Sequence, residues 1–194
     1  MIVDPASINI VRDPHFRPGE AGGAAGAIYR FLGIAEDDHF PPPVVNGLKG
    51  TGDATYYRYG YPHAFHVIHV IGPDFKAQQC TKRHAIDELA RAYASVLRVA
   101  RDEPRALLRL CPVSSGIYAG AHRAQMPEIT ARALVAGFRI VADEDPSLVS
   151  QMPGQADGCA AIELCLFEGA HAVKEFKAAL DELCGTLLSE SKGS

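Results

Sequence analysis

Tryptophan is absent from the 194 residues, and the five cysteines (Cys80, Cys111, Cys159, Cys165 and Cys184) include no C-x-x-C pair. An odd number at wide spacings excludes the disulfide framework of small secreted domains and the paired thiols of a zinc module. Buried free thiols in a reducing compartment are expected. No basic-then-apolar leader opens the chain, and no apolar run approaches the ~18 residues of a membrane span. A soluble, cytoplasmic protein is expected, with nuclear residence open. Excess positive charge is also missing: the formal net charge is −4, which removes bulk attraction to nucleic acid or membrane surfaces. What is present is 47% hydrophobic and 22% charged residues, the balance of one globular domain that buries a core without staples. The expected organisation is a single domain over 1–188 and a loose polar tail over 189–194.

The most informative stretch is E-A-G-G-A-A-G-A-I-Y-R-F-L-G, from Glu20 to Gly33. Gly22, Gly23 and Gly26 lead into a short amphipathic helix that stops at Gly33, with Ala24, Ala27, Ile28 and Phe31 expected on one face. A glycine turn feeding a helix start leaves several backbone N–H groups pointing one way at the positive end of the helix dipole. That arrangement suits a phosphate or diphosphate. Taken alone, the stretch reads more plainly as a flexible loop before an ordinary helix.

Along the chain, Met1–Ser7 reads either as a strand end delivering Asp4 and Ser7 to a site or, on composition, as a ragged terminus cut by Asp4-Pro5. Residues 35–52, with three consecutive prolines and three glycines, read as a long surface excursion. Phe65, Val67, Ile68, Val70 and Ile71 make a buried strand. His63, His66 and His69 within and before it sit three apart, a spacing that alternates faces on a strand, so no metal site is expected. A helix capped by Thr81 runs to about Arg101. The strand 107–113 ends in the small-residue loop Ser114-Ser115-Gly116-Ile117-Tyr118-Ala119-Gly120. A helix over about 124–142, a strand over 160–167 and a last helix over about 171–188 complete the order. Strand and helix alternate, which predicts an α/β fold: a mostly parallel sheet with helices on both faces and ligands at the carboxyl ends of the strands. The loops 21–26 and 114–120 are the candidate walls of one cleft. A dehydrogenase-type nucleotide fold fits less well, because no clear buried strand precedes the glycine turn.

Three stretches together resemble the macro domain, an ADP-ribose-binding module: A-G-G-A-A-G-A-I-Y-R-F-L-G at 21–33, G-D-A-T with G-Y-P-H-A-F-H-V-I-H-V-I-G-P at 52–55 and 60–73, and C-P-V-S-S-G-I-Y-A-G at 111–120. I-E-L-C-L-F at 162–167 stands where that family has its last strand. The resemblance implies a three-layer α/β/α sandwich with a mixed, mostly parallel sheet. It implies that Gly22, Gly23, Ala24, Ala25 and Gly26 hold one side of a diphosphate. Ser114, Ser115, Gly116, Ile117 and Tyr118 would close over the other phosphate and the distal ribose, and Phe167 would lie near the base or proximal ribose. ADP-ribose or an ADP-ribosylated protein is the implied partner, with no cofactor and no membrane.

Departures from the family pattern are equally specific. Against that family pattern an atypical or truncated N-terminus is expected, because nothing before Ile2 supplies the family's further strand and G-D-I turn. The family's V-N-A-A-N is V-D-P-A-S here, so its ribose-positioning asparagine is Ser7, and the hydrolase branch's aspartate falls on Ala25. With both polar groups replaced, binding without catalysis is the first expectation. A hydrolase of ADP-ribosylated protein or of ADP-ribose 1''-phosphate, using Asp4 or Ser7 to orient water, is the second. A degenerate fold serving as an interaction module is the third.

Overall fold

A computed structural model describes residues 1–60, 64–103, 107–145, 161–166 and 173–181. Among these, β1 (Ile2–Ala6), β2 (Ala54–Tyr59), β3 (Phe65–Ile71), β4 (Leu107–Leu110) and β5 (Ala161–Leu164) form one sheet in the order β2-β3-β1-β4-β5. β1 pairs parallel with β3 and β4, β4 parallel with β5, and β2 antiparallel with β3.

The first residues are therefore the centre of the sheet, not a ragged terminus. Pro5 does not break the strand, for a reason visible in the ladder. The Met1 amino group donates to the Leu107 carbonyl (2.7 Å) and the Met1 carbonyl accepts from Arg109 N–H (2.8 Å), so odd residues of β1 face β4. Pairing with β4 ends at Val3↔Leu110, and Pro5 lies beyond it, where no ladder donor is required.

Side-chain alternation divides the core in two. Val3, Ile68 and Leu110 pack with Leu89 and Tyr93 of α4 (Lys82–Asp102) and Ile129 of α5 (Met126–Glu144). On the opposite face Ala6, Val67 and Ile71 pack with Val11 of α1 (Ile8–Arg12), Ile28 and Tyr29 of α2 (Gly23–Leu32) and Val44 of α3 (Pro42–Gly47). Two helical layers on a mixed sheet make the α/β/α sandwich.

Thr81 caps α4 as its sequence position predicts, its hydroxyl accepting the His84 N–H at 3.2 Å. The 35–52 segment is not a surface excursion: Phe40, Val44 and Leu48 are fully or nearly fully buried, and α3 starts on the proline run, whose fixed φ suits a first helical turn. β2 was not foreseen; its A-T-Y-Y-R-Y carries no clean alternation, because it lies at the sheet edge with only Tyr59 buried. Residues 173–181 are helical; the rest of the expected last helix and the tail lie outside the described residues.

Candidate functional site

At the carboxyl ends of β1, β3 and β4 the chain leaves the sheet through three loops on one edge, where parallel α/β sheets bind ligands. β1 ends at Ala6, and Ser7 becomes the N-cap of α1. β4 leads into the 111–120 loop. There Ser115 Oγ donates to the Pro112 carbonyl (2.9 Å) and Ser114 Oγ to the Pro73 carbonyl (2.7 Å). Ser114 is buried yet left-handed, at φ 57°, a conformation that costs energy for a residue with a side chain and is held by its surroundings. Gly116 is exposed and Ile117 is 73% exposed, so the tip of the loop projects from the sheet edge. Tyr118 folds back, its hydroxyl donating to Ser7 Oγ at 2.8 Å. Residues 111 positions apart are thus joined across the sheet edge.

The glycine-fed helix forms as predicted, from Gly23 to Leu32, with Gly22 as N-cap and Gly33 as a left-handed C-cap at φ 74°. The first intrahelical bond runs from Gly26 N–H to Gly22 C=O (3.2 Å), so the N–H groups of Gly23, Ala24 and Ala25 precede it. The glycines serve different ends. Gly23 sits at φ 59°, and a Cβ on Gly26 would lie 2.0 Å from the Ala21 carbonyl oxygen, whereas a Cβ on Gly22 would meet nothing within 4 Å. The buried face of the helix carries Ala25, Gly26, Ile28 and Tyr29. Ala27 is exposed and Phe31 is 60% exposed, its ring edge against Phe65 at 4.9 Å, which corrects the face assigned from the sequence. Phe167 lies outside the described residues.

Asp4 takes a different place from Ser7. It is fully buried on the α2 side, in register with His69 of β3. Its Oδ2 accepts from Tyr29 O–H and bonds His69 Nδ1, both at 2.7 Å, and His69 Nε2 bonds the Tyr59 hydroxyl at 2.9 Å. Asp4 Oδ1 has no hydrogen-bond partner. Burial, then the adjacent Asp4 charge, pushes the Tyr29 and Tyr59 phenols well above their ordinary range. Asp4 therefore ties β1, β3, α2 and β2 together beneath the site. This cluster escaped sequence reasoning because its members are 10 to 65 positions apart; the one available signal was a charged residue and a histidine within otherwise apolar strands. His66, on the opposite face of β3, bonds the Tyr56 hydroxyl (2.6 Å) instead. His63 lies outside the described residues.

A mixed sheet between two helical layers, with a glycine-started helix on one face and a small-residue loop at its carboxyl edge, defines an α/β/α module. The macro domain family model matches residues 17–125, more than half of the chain, and the chain belongs to that family. Solved structures of the same fold include the Trypanosoma brucei macrodomain in complex with ADP-ribose, at 21% identity and TM-score 0.56, covering 92% of this chain and 62% of that one. The Oceanobacillus iheyensis macrodomain with ADP is similar at 18% identity and TM-score 0.64, covering 95% and 84%. The chain thus spans less than two thirds of the trypanosomal protein. No curated protein matches by sequence.

Proposed function

We propose that the chain binds ADP-ribose, or a related ADP-ribosyl metabolite or ADP-ribosylated protein, through its two phosphate-facing loops. The observation that carries the reading is the N-terminal turn of α2, where the N–H groups of Gly23, Ala24 and Ala25 come ahead of the first intrahelical bond. Backbone donors at a helix start bind a diphosphate without a lysine. In this reading the backbone of 22–26 holds one phosphate, and the loop Ser114–Tyr118 covers the other and the distal ribose. The ADP and ADP-ribose complexes of the similar macrodomains support the ligand class.

Binding without turnover is favoured over hydrolysis. Orienting an attacking water needs a polar group with free hydrogen-bonding capacity facing the ligand. The Asp4 carboxylate is fully buried beneath the site, with His69 and Tyr29 on its Oδ2, and so does not face the ligand; the Ser7 hydroxyl keeps its own proton to donate but is held by Tyr118, a neutral phenol and not a base. The test is incubation with an ADP-ribosylated peptide and with ADP-ribose 1''-phosphate: retention of the peptide without release of ADP-ribose or phosphate is expected. Steady release that Ser7→Ala abolishes would overturn the binder reading in favour of a hydrolase.

A further inference from the structure

Two of the cysteines that the sequence scattered are neighbours in the sheet. β4 and β5 pair parallel and in register through Leu110↔Leu164, and Cys165 N–H continues the ladder to the Leu110 carbonyl at 2.8 Å. Cys111 and Cys165 are the next residues of the two strands. Leu110 and Leu164 face the α4 and α5 core, so alternation turns both cysteines to the other face. Arg109 and Glu163 confirm that face, pairing across the strands at 2.7 Å with both side chains more than half exposed. Both thiols are free and half-buried.

We propose that Cys111 and Cys165 are a redox-active dithiol that closes to an intrachain disulfide on reaction with a small-molecule disulfide such as oxidised glutathione. Adjacent strands lie about 4.8 Å apart, inside the roughly 4.4–6.8 Å range of Cα separations that a disulfide spans. Side chains at register positions on neighbouring strands share a face, and about 1 Å of closure at the strand ends would bring the Cβ atoms to the roughly 3.8 Å of a disulfide. In the first step the Cys165 thiolate attacks one sulfur of the glutathione disulfide; that S–S bond breaks and one glutathione thiolate leaves and takes up a proton. In the second, the Cys111 thiolate attacks the Cys165 sulfur and expels the second glutathione. The two cysteines are oxidised, and one glutathione disulfide is reduced to two thiols.

The order of attack follows from the surroundings. Burial, with the neighbouring Cys165 and Asp4 charges, pushes the Cys111 thiol up to about 11, so it enters second, after the Cys165 charge has been capped. The bond would join β5 to β4 immediately before Pro112, whose carbonyl anchors Ser115, at the root of the 114–120 loop.

The experiment is oxidation of the folded chain with glutathione disulfide in mildly alkaline buffer, followed by alkylation, Glu-C digestion and mass mapping. Glu-C cuts after Glu163 and separates Cys165 from Cys159. The expected result is a linked pair of peptides containing Cys111 and Cys165, with an intact mass lower by two hydrogens. Cys111→Ser is expected to stop the reaction at a glutathione adduct on Cys165, and Cys159→Ser to leave the linked pair unchanged. Glutathione adducts without a linked pair in the unsubstituted chain, a bond that uses Cys159 in place of either residue, or no reaction would each overturn the proposal.

Discussion

A fully buried carboxylate that bonds a histidine and a phenol is retained only if its partners compensate for lost solvation, because breaking such a cluster on one side costs more than the whole cluster contributes. Asp4→Ala removes the common acceptor and leaves Tyr29 O–H and His69 Nδ1 facing each other without a partner. A stability loss of about 3–5 kcal/mol is expected by denaturant titration, far more than a strand-surface substitution would produce. The same environment predicts the alkaline limit of the fold. Tyr29, Tyr59 and Tyr93 all titrate above the ordinary 10.0 of a phenol, burial being the largest cause in each. The folded chain therefore keeps protons that the unfolded chain releases. Stability is intact below pH 10 and falls as pH rises beyond it, by up to about 1.4 kcal/mol per pH unit for each tyrosine. Denaturant midpoints between pH 8 and 11 check this, and Tyr59→Phe is expected to flatten the slope. None of this was legible in the sequence: Asp4 read as a site residue because position shows proximity along the chain, whereas burial is decided by β3 and α2 folding over it.

At the scale of elements, α2 shows what local pattern can and cannot carry. Its limits followed from glycine, since Gly33 takes the left-handed C-cap and Gly22 the N-cap. Its inward face did not, because Ala24, Ala27 and Phe31 have the same apolar spacing as Ala25, Ile28 and Leu32, and only the sheet beneath chooses between them. Two substitutions separate the roles of the turn. Gly26→Ala drives a Cβ to 2.0 Å from the Ala21 carbonyl oxygen, a backbone clash expected to cost about 1–3 kcal/mol. Gly22→Val meets open space and ordinary backbone (φ −91°, ψ 177°), so its thermal midpoint is expected to stay within a few degrees. Its isopropyl group would crowd the anion side of the helix, and ADP-ribose affinity is expected to fall about tenfold, or about 1.4 kcal/mol. β1 was misjudged for a related reason: five residues interrupted by proline carry too little periodicity to be called a central strand, and the missing N–H matters only when the neighbouring strand reaches it.

At the scale of the whole molecule, the alternation of strands and helices was enough to give the α/β/α sandwich, because parallel pairing forces helical crossovers onto both faces. The glycine turn and the serine loop were legible as turns, since each carries small residues where the backbone turns sharply. The edge strand β2, the helix α3 anchored by Val44 and the Asp4–His69 contact were not, since each is fixed by packing between distant segments. Whether the two loops form one diphosphate clamp is tested by isothermal titration of the purified chain with ADP-ribose, with AMP and ribose 5-phosphate as controls. Saturable one-to-one binding of ADP-ribose, with the controls much weaker, is the predicted result. No heat of binding at millimolar ADP-ribose from a folded chain would contradict it, and would leave the chain a macro domain in fold alone.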